Sequence, residues 1–317
     1  MQNPVLQKLD KRIKDIKVES LVIRKDHQLI YEYQKNKKMK EKSFKIYSIT
    51  KAVIGLLIGI AKSKELILDL HTPIYHYFSE IVLNDERKKE ITIHHLLSMT
   101  SGLQWSDTSG SGGNLSQTKN WVKFTLDQPL LHKPGEVFQY SCGSSHLLSA
   151  IITKVSGMTT DKFAEEYLFG PLQIKKHHWL TDPQGIPGGG FSLNLNTEDL
   201  MKLGILCMEG GCYKGKRVIS SGWITQMTSP QKLVEESGME HYSYGYQWWI
   251  LEDKDLDNSL QLYYAAGLFG QYIIVIPKLK IISVIKSQLK AEDQHHPFSY
   301  VVEMVKQLYK EELTAIS

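Results

Sequence analysis

The sequence predicts an α+β fold: an antiparallel sheet flanked by the two terminal helices, with an all-helical region inserted into it. Short β-rich runs lie near both ends of the chain, both termini carry apolar residues at helical spacing, and the middle has few strand patterns. Since the strands of one sheet must pair, the two ends of the chain have to meet. We expect a discontinuous α/β domain of residues 1–75 and 190–317 and a helical domain of residues 76–189.

The first quarter of the chain is predicted to form a helix, a hairpin and a second helix. Residues 3–17 place apolar side chains at helical spacing, and residues 18–24 and 28–34 are β-rich runs joined by a short turn. The second helix begins at Ser48, continues through an apolar run and is expected to end near residues 62–65.

The middle of the chain is predicted to be helical, and the last third returns to strands. Thr92 and Thr197 are expected to cap the helices that they open. The helical patterns cover residues 92–99, 121–126, 146–155, 163–168 and 197–208, and a closing helix starts near Phe298. The predicted strands are residues 242–251, 260–266, 271–277 and 280–287.

Composition excludes several classes of function. The 317 residues are 42% apolar and 23% charged, with a formal net charge of +4, as is typical of a globular protein. The basic residues of 35–40 lack interleaved aromatic side chains, so no nucleic-acid partner is expected. The longest apolar run, residues 52–61, is too short to span a bilayer. Residues 1–17 lack the apolar segment of a secretory signal, and three cysteines are an odd count without metal-ligand spacing, which favours a reducing compartment. We therefore expect a cytoplasmic protein without membrane association.

A hydroxyl and an amine share the first turn of the second helix. Ser48 and Lys51 are three positions apart and therefore lie on one face, at a helix N-terminus whose free N–H groups suit an oxyanion. Such a pair in an apolar setting suits nucleophilic catalysis. The alternative is an N-cap serine beside an exposed lysine. Spacing alone does not decide, because the Ser-x-x-Lys pattern occurs at five positions, beginning at Ser48, Ser116, Ser229, Ser283 and Ser287, and Ser48 is the one that opens an apolar helix.

Two further segments follow Ser48-x-x-Lys51 in the chain, Tyr140-Ser141-Cys142 and Ala265-Ala266-Gly267-Leu268. Together the three resemble the landmark motifs of the serine β-lactamase and penicillin-binding-protein superfamily, in their usual order. The similarity is greatest to its class C β-lactamase-like esterase branch, and it implies the β-lactamase-like fold. Further stretches similar to that branch are residues 91–103, 167–172, 245–249 and 270–272.

The resemblance implies a role for each matching residue. Ser48 would attack a carbonyl and become acylated, and Lys51 would take or share its proton, with a pKa lowered by burial and a neighbouring positive charge. Tyr140 would relay a proton to the leaving group and activate the deacylating water. The backbone N–H groups of Ser48 and Leu268, the residue after Gly267, would form the oxyanion hole.

Two departures from the superfamily's pattern bear on the substrate. Cys142 stands where the second motif commonly has Asn, which removes an amide that could orient Lys51 or contact the substrate. Ala265 stands where the third motif commonly has Lys or His. That cation helps to bind the substrate carboxylate in penicillin-recognising members, so substrates without this carboxylate are expected here. Gly267 and Cys142 remain candidates for contact with the substrate.

The sequence therefore predicts a serine hydrolase that cleaves a small ester or amide through an acyl-Ser48 intermediate. A D-amino-acid peptidase or weak β-lactamase is one alternative, and a catalytically silent sensor or binding protein is another. No cofactor or metal is expected, because the adjacent histidine pairs are not at ligand spacing and residues 185–190 lack the ending of a phosphate loop. The sequence does not indicate an oligomeric state.

Overall fold

The computed structural model describes residues 3–79, 84–107, 114–234, 242–252 and 260–316. Its α-helices, α1 to α9 in chain order, are Pro4–Lys14, Ile49–Ser63, Ile93–Leu97, Trp121–Asp127, Cys142–Ser156, Thr160–Ala164, Thr197–Met208, Ser221–Met227 and His296–Ile316. Its strands, β1 to β13, are Val18–Lys25, Gln28–Gln34, Phe44–Lys45, His178–Trp179, Leu193–Leu195, Cys212–Tyr213, Lys216–Arg217, Lys232–Leu233, Tyr242–Tyr244, Trp249–Leu251, Leu262–Gly267, Gln271–Ile276 and Ile281–Ser287. None of these helices is long and apolar enough to cross a membrane.

Both ends of the chain build the main sheet, as the sequence predicted. Its order is β2-β1-β13-β12-β11-β10-β9-β8 with antiparallel neighbours, and β1 from the start of the chain pairs with β13 near its end. A separate three-stranded sheet, β3-β5-β4, fixes the segment just before α2. The predicted antiparallel sheet built from both ends of the chain is thereby confirmed.

Alternation along the central strands gives the sheet two apolar faces. Ile274 and Ile285 face α1 and α9 in one apolar cluster, while Ile273 and Val284 face α2 in a larger one. The residues of α2 from Ile49 to Ala61 are all buried. The sheet and the helical region thus enclose the helix that Ser48 opens.

Two local predictions were wrong and one was confirmed. Asn196, not Thr197, caps α7, because its side chain accepts a hydrogen bond from the Asp199 N–H. Residues 242–251 form two strands rather than one, since Gln247 takes a φ of 65° in the turn between them. Thr92 caps α3 as expected, accepting from the His95 N–H.

Candidate active site

Ser48 lies in a sharp turn at the start of α2. Tyr47, which precedes it, has a φ of 50°, in the left-handed region that residues with a side chain rarely adopt. The Ile46 N–H donates to the Leu193 carbonyl over 3.0 Å, which ties this turn to β5. The Ser48 hydroxyl does not cap its own helix. The Ser48 hydroxyl is therefore available to form hydrogen bonds with other side chains.

Lys51 is buried directly behind Ser48 and is 1% exposed. An ammonium group has three N–H donors, and here each has an acceptor. The acceptors are the Ser48 hydroxyl at 3.1 Å, the Cys142 sulfur at 3.1 Å and the Gly190 carbonyl at 2.9 Å. The ring of Tyr140 lies 4.5 Å from the same nitrogen. The alternative of a capping serine beside an exposed lysine does not fit these positions.

The protonation of Lys51 differs from what the resemblance implied. Burial on its own lowers the pKa of Lys51, but Cys142, Tyr140 and Asp107 raise it, and the net direction is upward. The neighbours that decide the shift are hydrogen-bond acceptors and acids, not a second cation. The expected lowering of the pKa was therefore wrong, and Lys51 rests as an ammonium ion.

Tyr140 contacts both Ser48 and Lys51. Its ring stacks on Trp249, with ring centroids 5.6 Å apart. Burial raises the pKa of the Tyr140 hydroxyl, whereas Lys51 and a hydrogen bond with Ser48 lower it, and the net direction is upward. The resting phenol is therefore neutral. The structure brings together the three residues that the sequence predicts to be catalytic.

Cys142 and Asp107 lie behind Lys51. The Cys142 sulfur is 3.2 Å from Asp107 Oδ2, and its N–H donates to Asp107 Oδ1 over 3.3 Å. Trp105 Nε1 donates to the same carboxylate over 2.5 Å. Burial raises the pKa of Cys142 to about 12, with Lys51 opposing the rise and Asp107 adding to it, so the group is a thiol. The predicted contact of Cys142 with substrate stays a prediction.

Sequence reasoning missed two groups of this site, the Asp107 carboxylate and the Gly190 carbonyl. Asp107 lies in a Ser- and Gly-rich stretch without periodicity, so nothing in its spacing relates it to Lys51. Gly190 contributes a backbone atom, which no side-chain motif reveals. Its signal is the glycine itself, since a Cβ there would lie 2.8 Å from the Cβ of Cys142.

Gly267 and Leu268 lie at the end of β11, against the turn that carries Ser48. A Cβ on Gly267 would lie 2.4 Å from the Ile46 carbonyl oxygen, so this close approach requires glycine. Leu268 is half exposed. Together with Ser48 these two residues line a cleft of about 450 Å³. The end of the strand and the start of α2 thus border one cleft.

This cleft, called the aromatic cleft below, carries no formal charge. Among the described residues, its lining includes no Lys, Arg, Asp or Glu. Burial lowers the pKa of His295, with His296 adding to the effect, so this ring is neutral. Ala266 lines the cleft, whereas Ala265 is buried in the cluster around α2. The aromatic walls are Tyr140, Tyr242, Trp249, Tyr264, Tyr272 and Phe298.

A histidine and two carboxylates outside the aromatic cleft lie close enough to hold a metal ion. Their ligand atoms, on Asp161, Glu165 and His177, are within 4.8 Å of one another. A hydrogen bond from His177 to Asp161 raises the pKa of the ring. A His–carboxylate ion pair accounts for these contacts, and the absence of a required metal stays a prediction.

The fold and the site define a member of the serine β-lactamase and penicillin-binding-protein superfamily. The family model described as Beta-lactamase matches residues 11–301. The chain therefore belongs to the beta-lactamase family.

Known proteins extend this comparison. Over 168 residues the chain is 26% identical to a 6-aminohexanoate-dimer hydrolase of Paenarthrobacter ureafaciens, covering 50% of this chain and 41% of that protein. The chain thus spans less than half the length of this curated relative. The octameric penicillin-binding protein homologue from Pyrococcus abyssi has a TM-score of 0.76 at 21% identity, covering 95% of this chain and 76% of its own. EstCE1, a hydrolase with promiscuous acyltransferase activity, has a TM-score of 0.77 at 17% identity, and the match covers 95% of this chain and 97% of EstCE1. These two structures establish the shared fold.

Proposed function

We propose that this protein is a serine hydrolase that cleaves a small ester or amide through an acyl-Ser48 intermediate. The observation that carries the proposal is the contact of Ser48 with Lys51, at 3.1 Å, beside the ring of Tyr140, which lies 4.5 Å from the same nitrogen. A hydroxyl that meets an amine and a phenol at the edge of a cleft is equipped for acyl transfer. Membership of the beta-lactamase family supports the same chemistry.

In acylation, Ser48 Oγ bonds to the substrate's carbonyl carbon, and its proton passes to the pair formed by Lys51 and Tyr140. Both members of this pair rest protonated, so the pair must first lose one proton to act as a base. The N–H groups of Ser48 and Leu268 stabilise the negative carbonyl oxygen. The bond to the leaving group then breaks, and Tyr140 returns the proton to that group.

Deacylation repeats these steps with water as the nucleophile. A water molecule attacks the acyl carbon and gives its proton to the same pair of residues. The bond to Ser48 Oγ then breaks, and the proton returns to Ser48 as the free acid leaves. Tyr140 suits this exchange because it lies beside Lys51 and lines the aromatic cleft together with Ser48.

The aromatic cleft favours a neutral substrate group beside Ser48. Its walls offer ring faces, and among the described lining residues none supplies a cation to pair with a carboxylate. A charged group buried without a partner is strongly disfavoured. This supports a carboxylesterase or amidase over a β-lactamase or a D-amino-acid peptidase, whose substrates carry a carboxylate.

Intact-mass measurement after exposure to a fluorophosphonate, a p-nitrophenyl ester and a penicillin tests the proposal. We expect the fluorophosphonate to add one phosphonyl group to the wild type and none to Ser48→Ala, and only the wild type to turn over the ester. No Ser48-dependent adduct together with no turnover would contradict a hydrolase and leave a silent binding protein. A stable penicillin adduct would favour the penicillin-recognising alternatives.

A further inference from the structure

A second cleft, of about 460 Å³, lies beside the turn that carries Ser48. Its walls include Tyr47 and Phe269, whose rings meet edge to face with centroids 5.1 Å apart. The chain neighbours of these residues, Ser48 and Leu268, line the aromatic cleft. The two clefts therefore flank the position where the substrate's carbonyl would be held. The second one is called the lysine cleft below.

The lysine cleft is basic. Its lining includes Lys45, Lys286 and Lys290 and, among the described residues, no Asp or Glu. The Lys45 ammonium lies 5.1 Å from the ring centroid of Tyr47 and 5.6 Å from that of Phe191. Within the described part of the chain, Lys45 forms no ion pair. Its charge is held over aromatic rings near Ser48, and none of the carboxylates that the structure describes neutralises it.

Lys286 adds a buried ammonium to this cleft. The residue is 1% exposed, and its nitrogen lies 3.3 Å from Glu19 Oε2 and 3.9 Å from the ring centroid of Phe44. The geometry gives that nitrogen no hydrogen bond to the described residues. Burial lowers the pKa of Lys286, Glu19 opposes this, and Lys42 adds repulsion. Glu19 pairs with this ammonium without meeting hydrogen-bond geometry, so N–H donors remain that a further anion would stabilise.

We infer that the lysine cleft binds a carboxylate at the far end of the substrate's acyl chain, so that the preferred substrate is a monoester or monoamide of a dicarboxylic acid. The inference rests on the proposed function. The acyl group is bonded to Ser48, and Tyr47 and Phe269 connect that point to Lys45. The neutral leaving group occupies the aromatic cleft, and hydrolysis releases a dicarboxylate.

Matched esters test this assignment. The mono-p-nitrophenyl esters of adipic and suberic acid carry a terminal carboxylate, and p-nitrophenyl hexanoate and octanoate are their neutral counterparts. We expect Lys45→Gln to lower the ratio of kcat/KM for the anionic ester to that for the neutral ester about tenfold, the effect of one charge-assisted contact. Lys290→Gln should lower it less, because Lys290 is exposed and lies 3.7 Å from Glu292. Lys216→Gln, an exposed lysine on β7, is the matched control.

The outcomes separate this inference from the proposed function. Hydrolysis of the neutral esters with an unchanged ratio in Lys45→Gln would overturn the inference and leave the hydrolase proposal standing. Failure of every ester and of fluorophosphonate labelling would instead overturn the proposed function, and the inference with it. Inorganic phosphate should inhibit the hydrolysis of the anionic esters and leave the hydrolysis of the neutral esters unchanged. Equal inhibition of the neutral esters by phosphate, relieved in Lys45→Gln, would identify a separate anion site and also overturn the inference.

Discussion

Two regions meet at Ser48: a rear region formed by Lys51, Cys142, Gly190 and Asp107, and the aromatic cleft in front. They differ in hydrogen bonding and in charge. Behind Ser48, Lys51 uses all three of its N–H donors and is surrounded by polar groups. In front of it, the aromatic cleft offers rings and, within the described residues, no formal charge. The region behind Ser48 matches the superfamily's motifs at Ser48 and Lys51 and departs from them at Cys142. The strand that borders the aromatic cleft departs from them at Ala265, although that side chain is buried against α2.

This difference separates the chemistry from the choice of substrate. Acyl transfer needs a nucleophile and a proton acceptor in fixed geometry, which the buried contacts behind Ser48 provide. Recognition of the substrate depends on the cleft, whose lining can change without disturbing those contacts. Perturbing the rear region should therefore change the rate for every substrate, while perturbing the cleft should change the preference among substrates.

The largest effect is expected from Lys51→Met, which keeps the length of the side chain but removes its charge and its donors. Without the ammonium, neither the proton transfer nor the orientation of the Ser48 hydroxyl is supported. We expect kcat/KM for a p-nitrophenyl ester to fall about 10³-fold, within the range of general acid–base catalysis. Loss should be similar for esters with different leaving groups.

Lys62→Met is the matched control, because Lys62 lies near the other end of α2 and donates to the Leu68 carbonyl. Circular dichroism and thermal melting would show that both variants are folded. Retention of more than one tenth of the wild-type kcat/KM by Lys51→Met would contradict the role assigned to the rear region.

The sequence predicted the parts of the rear region that follow from local rules. Ser48 and Lys51 share a helix turn. Outside the rear region, the Thr92 cap of α3 likewise follows from short-range chemistry. Asp107 could not be predicted, because its position beside Cys142 depends on how a loop packs onto α5. The direction of the Lys51 pKa shift was missed for the same reason, since it is set by neighbours distant in the chain.

Much of the sheet was also predictable, because the alternation of apolar residues marks its strands. The division of residues 242–251 into two strands was not. Gln247 turns the chain there, and its side chain bonds to the Leu96 and Leu97 carbonyls and to the Ser145 hydroxyl. These partners come from α3 and α5, so local propensity carried no signal for the break.

A cation placed in the aromatic cleft should shift the preference among substrates from neutral toward anionic leaving groups. Ala266→Lys adds an ammonium on β11 inside the cleft, and Ala266→Met adds a neutral side chain of comparable length as the control. Test substrates are 4-acetoxybenzoate, whose leaving group carries a carboxylate, and its methyl ester, in which that carboxylate is masked. We expect the kcat/KM ratio, anionic over neutral, to rise about tenfold in Ala266→Lys relative to Ala266→Met. An equal ratio in the two variants would show that missing charge does not set the preference.

The smallest effect is expected from Asp107→Asn, which changes the charge behind Lys51 and keeps the shape. The Asp107 carboxylate raises the pKa of Lys51, Tyr140 and Cys142 alike. Because the base forms when the Lys51–Tyr140 pair loses a proton, kcat/KM should rise with pH as that proton leaves.

Removing the Asp107 carboxylate makes the proton leave the pair more easily, so the rising limb of the pH profile should move to lower pH. Asp107 is exposed, and solvent screening limits the shift to about half a pH unit, or about threefold in kcat/KM at pH 7. The plateau at high pH should not change, because the carboxylate does not contact the substrate. Asp127→Asn, which removes an exposed carboxylate paired with Lys123, should leave the limb in place. A limb that stays in place or moves to higher pH in Asp107→Asn would show that this carboxylate does not raise the pKa of the Lys51–Tyr140 pair.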